Sequence, residues 1–374
     1  MTPAEPEKGQ IMNAKRLLFV ALLVACADTA SAAPVYHLTD LGTLGGSYSS
    51  AYGINASGQV VGESTNESSG TQAFIYAGGQ MTGLSGLNRS DSHATAINSS
   101  GQVAGYSYIG DGHGGAVAHA FLYSNGTMND LGTLGGDGAW AYGINSTGQV
   151  VGYGTRFSHV FLYSNGTMTD LGTYGGSSAF AYGINSSGEL IGRTSTSGSP
   201  IVRSFAYSAS AGTTTDLGTL GGTYTQARAI NESGQIVGDD KISDSTDTHA
   251  FLYSDGLMED LGTLGGGDSS AFGINGNGEV VGYSITSANL QRAFLYREGT
   301  MLDLSTLLDS SGVGWTLSNA VGINDFEAIC GYAINAQGDT HAVLLTPVPE
   351  PSIALFGASA VLLLNLCRKR HRLS

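Results

Sequence analysis

The sequence predicts an all-β chain, and within that class a seven-bladed β-propeller of four-stranded antiparallel blades. Three observations predict it. The phrase DLGTLGG at 40–46 returns at 130–136, 216–222 and 260–266, and as DLGTYGG at 170–176. An Asn-ending triplet recurs behind it, GIN at 53, 143, 183, 273 and 322 and AIN at 96 and 229, at spacings of 40 to 49 residues. A period of about 40–50 residues marks propeller blades or stacked repeats. Finally, charged residues make up only 12% of the chain and Gly reaches 57 of 374, which suits tightly turned β-structure better than helices.

One unit, 139–174, shows how the repeat is built. Ala139 to Asn145 alternates apolar and small residues and reads as a first strand. Asn145-Ser146-Thr147-Gly148 has turn chemistry, because Asn can bond its own backbone and Gly supplies positive φ. Gln149 to Tyr153 returns as a second strand, and Val160 to Ser164 reads as a third. Asn165-Gly166 makes a two-residue hairpin, and Thr167 to Leu171 is the fourth strand.

The count of strands favours a ring. First and third strands each number seven, but fourth strands do so only if the N-terminal one at 35–41 is included. The last unit ends at Leu345 without a fourth strand of its own. The N-terminal strand is therefore expected to close the last blade, removing two exposed edges. An open solenoid would instead carry polar caps at both ends, and none is evident in the sequence.

Charge and cysteine usage narrow the function classes. From Ala33 to Pro349 there are 8 Lys and Arg against 26 Asp and Glu, a net charge of −18. Such a surface repels nucleic acid and anionic lipid, which excludes nucleic-acid binding. Of the cysteines at 26, 330 and 367, only Cys330 lies in the repeat body, so no internal disulfide framework is expected.

Both ends read as addresses. Residues 1–32 form a signal peptide whose true start fits Met12: a short basic head, an apolar run from Leu17 to Ala27, and an A-x-A site at Ala30 and Ala32. Leu23-Val24-Ala25-Cys26 also fits a lipobox, which would acylate Cys26. The repeat body occupies 33–346 and a tail follows at 347–374. There, Val348, Pro349, Glu350, Pro351 and Ser352 precede an apolar run of about 15 residues, then Arg368, Lys369 and Arg370. The basic end is expected to stay in the cytoplasm, which leaves the body outside.

These residues carry two resemblances. The phrase HAFLYS–NG–DLGTLGG–GIN–GQVVGY resembles the HAF-type extracellular repeat of bacterial surface proteins and covers nearly the whole body. The tail resembles the PEP-CTERM sorting signal of exopolysaccharide-producing Gram-negative bacteria. That resemblance implies an exosortase as partner, transient residence in the inner membrane through a short transmembrane segment, and removal of the tail. Neither resemblance carries a catalytic residue set.

The recurring side chains read as structural. The Asp at 40, 130, 170, 216, 260 and 303 can accept from backbone N–H groups of the following Gly-rich turn. His119, His159, His249 and His341 open third strands and are dispersed, so they are not expected to share a metal. Asp239, Asp240, Asp244 and Asp247 read as a solvated acidic loop without calcium-loop spacing, leaving calcium a weak expectation and no cofactor or metal site assigned. No hydrolase, metalloprotease or phosphate-loop motif occurs.

Departures from the repeat point to binding. The links Tyr106–His119, Asp239–His249 and Ser305–Ser318 vary most, and variable loops on a rigid scaffold carry function. Their candidate contact residues are Tyr108 and Trp315 as flat platforms, with His113, Asp244 and Asp247 as hydrogen-bonding groups. The expected function is a non-enzymatic surface or matrix protein of an exopolysaccharide biofilm that binds glycan or protein. The alternative is a secreted propeller enzyme, a polysaccharide lyase or hydrolase.

Overall fold

A computed structural model describes residues 34–349, apart from 88–90, 111–114, 156–157 and 244–245. The regular structure of the described chain is strands, apart from two short 3-10 turns at Leu304–Leu307 and Ser310–Gly312. Successive strands pair antiparallel in groups of four. In the group that serves as specimen the strands are Ala139–Ile144, Val150–Gly154, His159–Ser164 and Thr167–Gly172. The same order runs through 45–83, 92–132, 178–216, 221–260 and 265–303.

The final group is assembled from both ends of the body. Thr316–Ile323, Ile329–Ile334 and Thr340–Pro347 follow in sequence, and the N-terminal strand Tyr36–Asp40 pairs antiparallel with the last of them. Its outer side is covered rather than open. Asp309 N–H donates to the carbonyl of Tyr36 at 2.9 Å, and Leu38 N–H donates to Ser311 Oγ at 2.7 Å. The 304–312 insertion thus shields an edge that would otherwise invite strand addition.

Each first strand departs from simple alternation. Its register against the second strand slips by one residue just before the Gly-Ile-Asn triplet, as between Ala141 and Gly143 in the specimen group. This β-bulge leaves Tyr142 unpaired and turns its side chain. The second-strand glycine opposite has no room for a side chain: a Cβ on Gly152 would lie 1.9 Å from the carbonyl oxygen of Trp140. Gly62, Gly238 and Gly282 stand against the same first-strand carbonyl at the same distance.

The apolar core lies between neighbouring groups. Val61 and Ala73 of one group pack with Ala94, Val103 and Phe121 of the next. Cys330 and Ala342 of the final group pack with Ala51, Val60 and Phe74 of the first. No group buries its faces alone, as expected of repeat units.

The triplet asparagines tie the groups together. Asn145 Oδ1 accepts from the backbone N–H of Thr147 and Gln149, holding its turn. Its Nδ2 donates to Gln149 Oε1 at 2.7 Å and to the carbonyl of Asn185 at 3.1 Å. Asn55, Asn98, Asn185, Asn231 and Asn275 each donate in the same way to the next triplet carbonyl. Asn324 donates to Asn55, so the ladder returns to its start.

The repeated Asp behaves as its sequence position suggested. Asp130 Oδ1 accepts from Gly132 N–H at 2.8 Å, and Asp40, Asp170, Asp216 and Asp260 hold the equivalent glycines. His119, His159, His249 and His341 pair with Asp130, Asp170, Asp260 and Asp40 at 2.8–3.0 Å, one pair per group. Burial pushes the Cys330 thiol up to about 12, so it is a packed apolar group and not a nucleophile.

Candidate functional site

The bulge residues meet at the centre. Tyr52, Thr95, Tyr142, Tyr182, Arg228, Phe272 and Val321 each precede a triplet, and all line one cavity of about 350 Å³. Glu63, His93, Tyr106 and Tyr332 complete its lining. His93 pairs in register with Tyr106, as Ser50 does with Glu63 and Asn319 with Tyr332. The cavity therefore extends from the bulge toward the strand ends that carry the second-to-third links. Below it the backbones of the triplets close in: a Cβ on Gly143 would meet the Cα of Gly183 at 3.0 Å.

An aromatic arc adjoins the cavity and reaches its lining through His93, Tyr106, Tyr142 and Tyr182. His93 stacks on Tyr106 with centroids 4.6 Å apart, and Tyr106 meets Trp140 at 6.5 Å. Trp140 stacks on Tyr153 at 5.3 Å, and Tyr153 meets Phe180 edge-on at 4.7 Å. Tyr142 stacks on Tyr153 at 5.8 Å and touches Tyr182 at 5.6 Å. Burial raises the phenols of Tyr52, Tyr106 and Tyr142 above the ordinary tyrosine range, so they remain hydrogen-bond donors.

The polar side is organised by two carboxylates. Glu63 pairs with His93 Nδ1 and accepts from the hydroxyls of Tyr48 at 3.2 Å and Tyr52 at 3.0 Å. Burial pushes the Glu63 carboxyl up, but the hydrogen bond and charge of His93 and the two phenols outweigh it. The carboxyl is held below its ordinary value. Asp239 accepts from Arg228 Nε at 2.5 Å and from Ser270 Oγ at 2.9 Å. The Arg228 guanidinium lies 5.0 Å from the Phe272 ring centroid.

The residues expected from the links fall in several places. Tyr108 belongs to the strand Val103–Gly110, not to a loop, and its ring meets His93 and Tyr106 edge-on at 6.0 Å. It extends the aromatic arc. Asp239 and Asp240 are buried within the strand Ile236–Ile242, which corrects the reading of that cluster as a solvated acidic loop. Asp247 follows in the link, where its backbone carbonyl accepts from Ile242 N–H at 3.2 Å.

Trp315 packs against the apolar core of the final group, 6.0 Å from the His341 ring. His113, Asp244, Ala30, Ala32, Glu350, Pro351, Ser352, Arg368, Lys369 and Arg370 lie outside the described residues. Among the described residues no cluster of three or more His, Cys, Asp or Glu could hold a metal. Nor is any helix among them long and apolar enough to cross a membrane.

The cavity residues were missed because the first strand reads as plain alternation, which hides the bulge. A signal was nonetheless present. The frame Ala-x-Gly/Ala-Ile-Asn recurs with x as Tyr, Thr, Tyr, Tyr, Arg, Phe and Val. One free letter inside a fixed frame marks a position that the fold does not dictate.

No family model and no curated protein sequence matches the chain. Solved structures do resemble it. Virginiamycin B lyase from Staphylococcus aureus, in a catalytically inactive form with quinupristin, aligns at TM-score 0.51 and 13% identity over 84% of this chain and 100% of that one. The β-propeller domain of the trilobed protease from Pyrococcus furiosus, described as having an open velcro topology, aligns at TM-score 0.52 and 8% identity over 85% and 97%. TolB from Acinetobacter baumannii aligns at TM-score 0.45 and 14% identity, the match covering 77% of this chain and 63% of that chain. The chain has a propeller-like fold of four-stranded antiparallel units.

Proposed function

We propose that this chain is a secreted, closed seven-bladed β-propeller that binds a glycan in its central cavity, outside the cell. The aromatic arc from His93 to Phe180 carries this reading. Flat faces with polar edges suit the alternating apolar and hydroxyl surfaces of a sugar ring. The returning asparagine ladder and the pairing of Tyr36–Asp40 with Thr340–Pro347 support closure with a mixed last blade. Tyr108 extends the arc toward the rim, and we assign His113, Asp244, Asp247 and Trp315 to outer contacts on the links.

The location rests on the two terminal addresses. The mature protein begins near Ala33 and, once an exosortase removes the tail, ends near the Pro-Glu-Pro stretch. It then resides at the surface or in the exopolysaccharide matrix of a Gram-negative biofilm. A second reading, a lyase or hydrolase acting on polysaccharide, is favoured by Glu63 and His93. A half-buried carboxylate orienting an imidazole at a cavity is an acid–base arrangement.

Glycan arrays and the host's own polysaccharide, with product analysis, separate these readings. Retention of unbroken glycan supports binding, and shortened or unsaturated products support the enzyme. Failure to bind any glycan leaves a purely structural matrix protein.

A further inference from the structure

Arg228 lines the central cavity, whereas Arg193 stands beside it, on the strand paired with that of the lining Tyr182, and the two are held differently. Arg228 forms an ion pair with Asp239 at 2.5 Å. Arg193 makes no ion pair with any carboxylate among the described residues. Its Nη1 donates to the Tyr224 hydroxyl at 2.8 Å and to Gln226 Oε1 at 3.2 Å. The guanidinium lies over the Phe180 ring at 5.1 Å and beside the Tyr224 ring at 5.8 Å.

The position of Arg193 matters as much as its partners. It pairs in register with Phe180, as Tyr106 pairs with His93 and Tyr153 with Trp140. It therefore sits at the end of the aromatic arc, in the register position that the lining Tyr106 holds in its own group. Two neutral oxygens and two rings fix the head group without neutralising it. A guanidinium has five N–H donors, so further donors remain for a ligand. The body carries 26 Asp and Glu from Ala33 to Pro349, yet none of those described is spent on this arginine.

We infer that the cavity takes a carboxylated saccharide, a uronic acid unit whose ring stacks on the aromatic arc and whose carboxylate meets Arg193. This deepens the glycan-binding reading above and rests on it. The fork of an arginine matches a carboxylate bidentately, and the site lies among low-dielectric rings where such a contact is strong. The acidic exterior repels polyanions at long range, so selection for an acidic sugar requires a local cation of this kind.

The test is calorimetric titration of the full chain with a glucuronate-containing oligosaccharide and with its neutral glucose counterpart. Wild type is expected to prefer the uronate by about tenfold. Raising the salt should shrink that preference in wild type itself, an arm that needs no variant. R193Q should bind both sugars alike at the neutral sugar's affinity. R193K should keep only part of the preference, because a lysine restores charge but not the fork.

Neutral binding without acidic preference, or a preference that survives R193Q, overturns the inference and leaves the glycan reading standing. Failure of both sugars to bind overturns the inference, and the glycan reading falls with it only if the array and the host polysaccharide also fail to bind.

Discussion

The side-chain amide of Asn324 donates to the backbone carbonyl of Asn55 at 3.0 Å, across 269 positions of sequence. The same contact joins Asn145 to Asn185 at 3.1 Å, across 40 positions. In a closed ring these two bonds are equivalent; in an open array the first would be an accident of the ends. N324A and N145A should each lower stability by about 1–3 kcal/mol, because each leaves buried backbone groups unpaired. Urea unfolding measures both. A much smaller loss for N324A would mean that the ladder is open between Asn324 and Asn55.

Removing 35–41 should cost far more than trimming an ordinary terminus. Tyr36 is fully buried, and Leu38 and Leu41 are nearly so. Losing one such core side chain costs about 2–5 kcal/mol, and here three go together with a paired strand. The deletion also uncovers an edge of Thr340–Pro347. We expect a chain that aggregates or melts well below wild type, followed by light scattering and circular dichroism.

Two glycines test the bulge. A Cβ on Gly152 would stand 1.9 Å from the Trp140 carbonyl, whereas one on Gly166 would meet nothing within 4 Å. Gly166 has φ of 81°, so alanine there is strained only locally. G166A should cost about 1 kcal/mol. G152A must push two strands apart and should cost several times more. Equal losses would mean that the strands part easily at the bulge.

Much of this architecture was legible because the repeat dictates it. The triplet Asn, the strand-closing Asp and the Asn-Gly hairpins are read from local turn chemistry, and each sits where that chemistry demands. The pairing of 36–40 with 340–347 was legible by counting strands. The centre was not. A bulge changes no residue type, only which side chain the strand turns inward, so Tyr142 and Arg228 looked like ordinary strand residues. Asp239 looked solvated because its partner Arg228 belongs to the preceding strand and pairs with it through that bulge. The insertion at 305–318 read as binding loop, yet part of it covers the N-terminal strand.

Asp240 should give stability an unusual dependence on pH. Burial pushes its carboxyl up to about 6, against hydrogen bonds from Leu220 N–H and Thr225 and the charge of Arg203. A carboxyl with a folded pKa above its unfolded one takes up a proton on folding. Its contribution is then fully present below the unfolded value near 3.8, falls as pH rises through about 6, and is constant above. The stability of wild type relative to D240N should therefore drop between pH 4 and pH 7, on the order of 3 kcal/mol. Urea midpoints of both proteins across that range give the difference. A flat difference would show that Asp240 ionises freely.

The bulge position offers a test of the cavity that spares the fold. The frame already accepts Tyr142, Thr95 and Val321 at equivalent points, so Y142T installs a side chain that another unit uses. It removes the stacking on Tyr153 at 5.8 Å and the contact with Tyr182 at 5.6 Å. Stability should fall by about 1–2 kcal/mol, since a stacked pair is worth about 0.5–1.5 kcal/mol beyond its burial. Affinity for the glycan we propose should fall tenfold or more, because Tyr142 both lines the cavity and supports Trp140 through Tyr153. A substitution at Asn165, in a turn that does not line the cavity, should leave affinity unchanged. Loss of binding from the Asn165 change alone, with both proteins folded, would move the site off the central cavity.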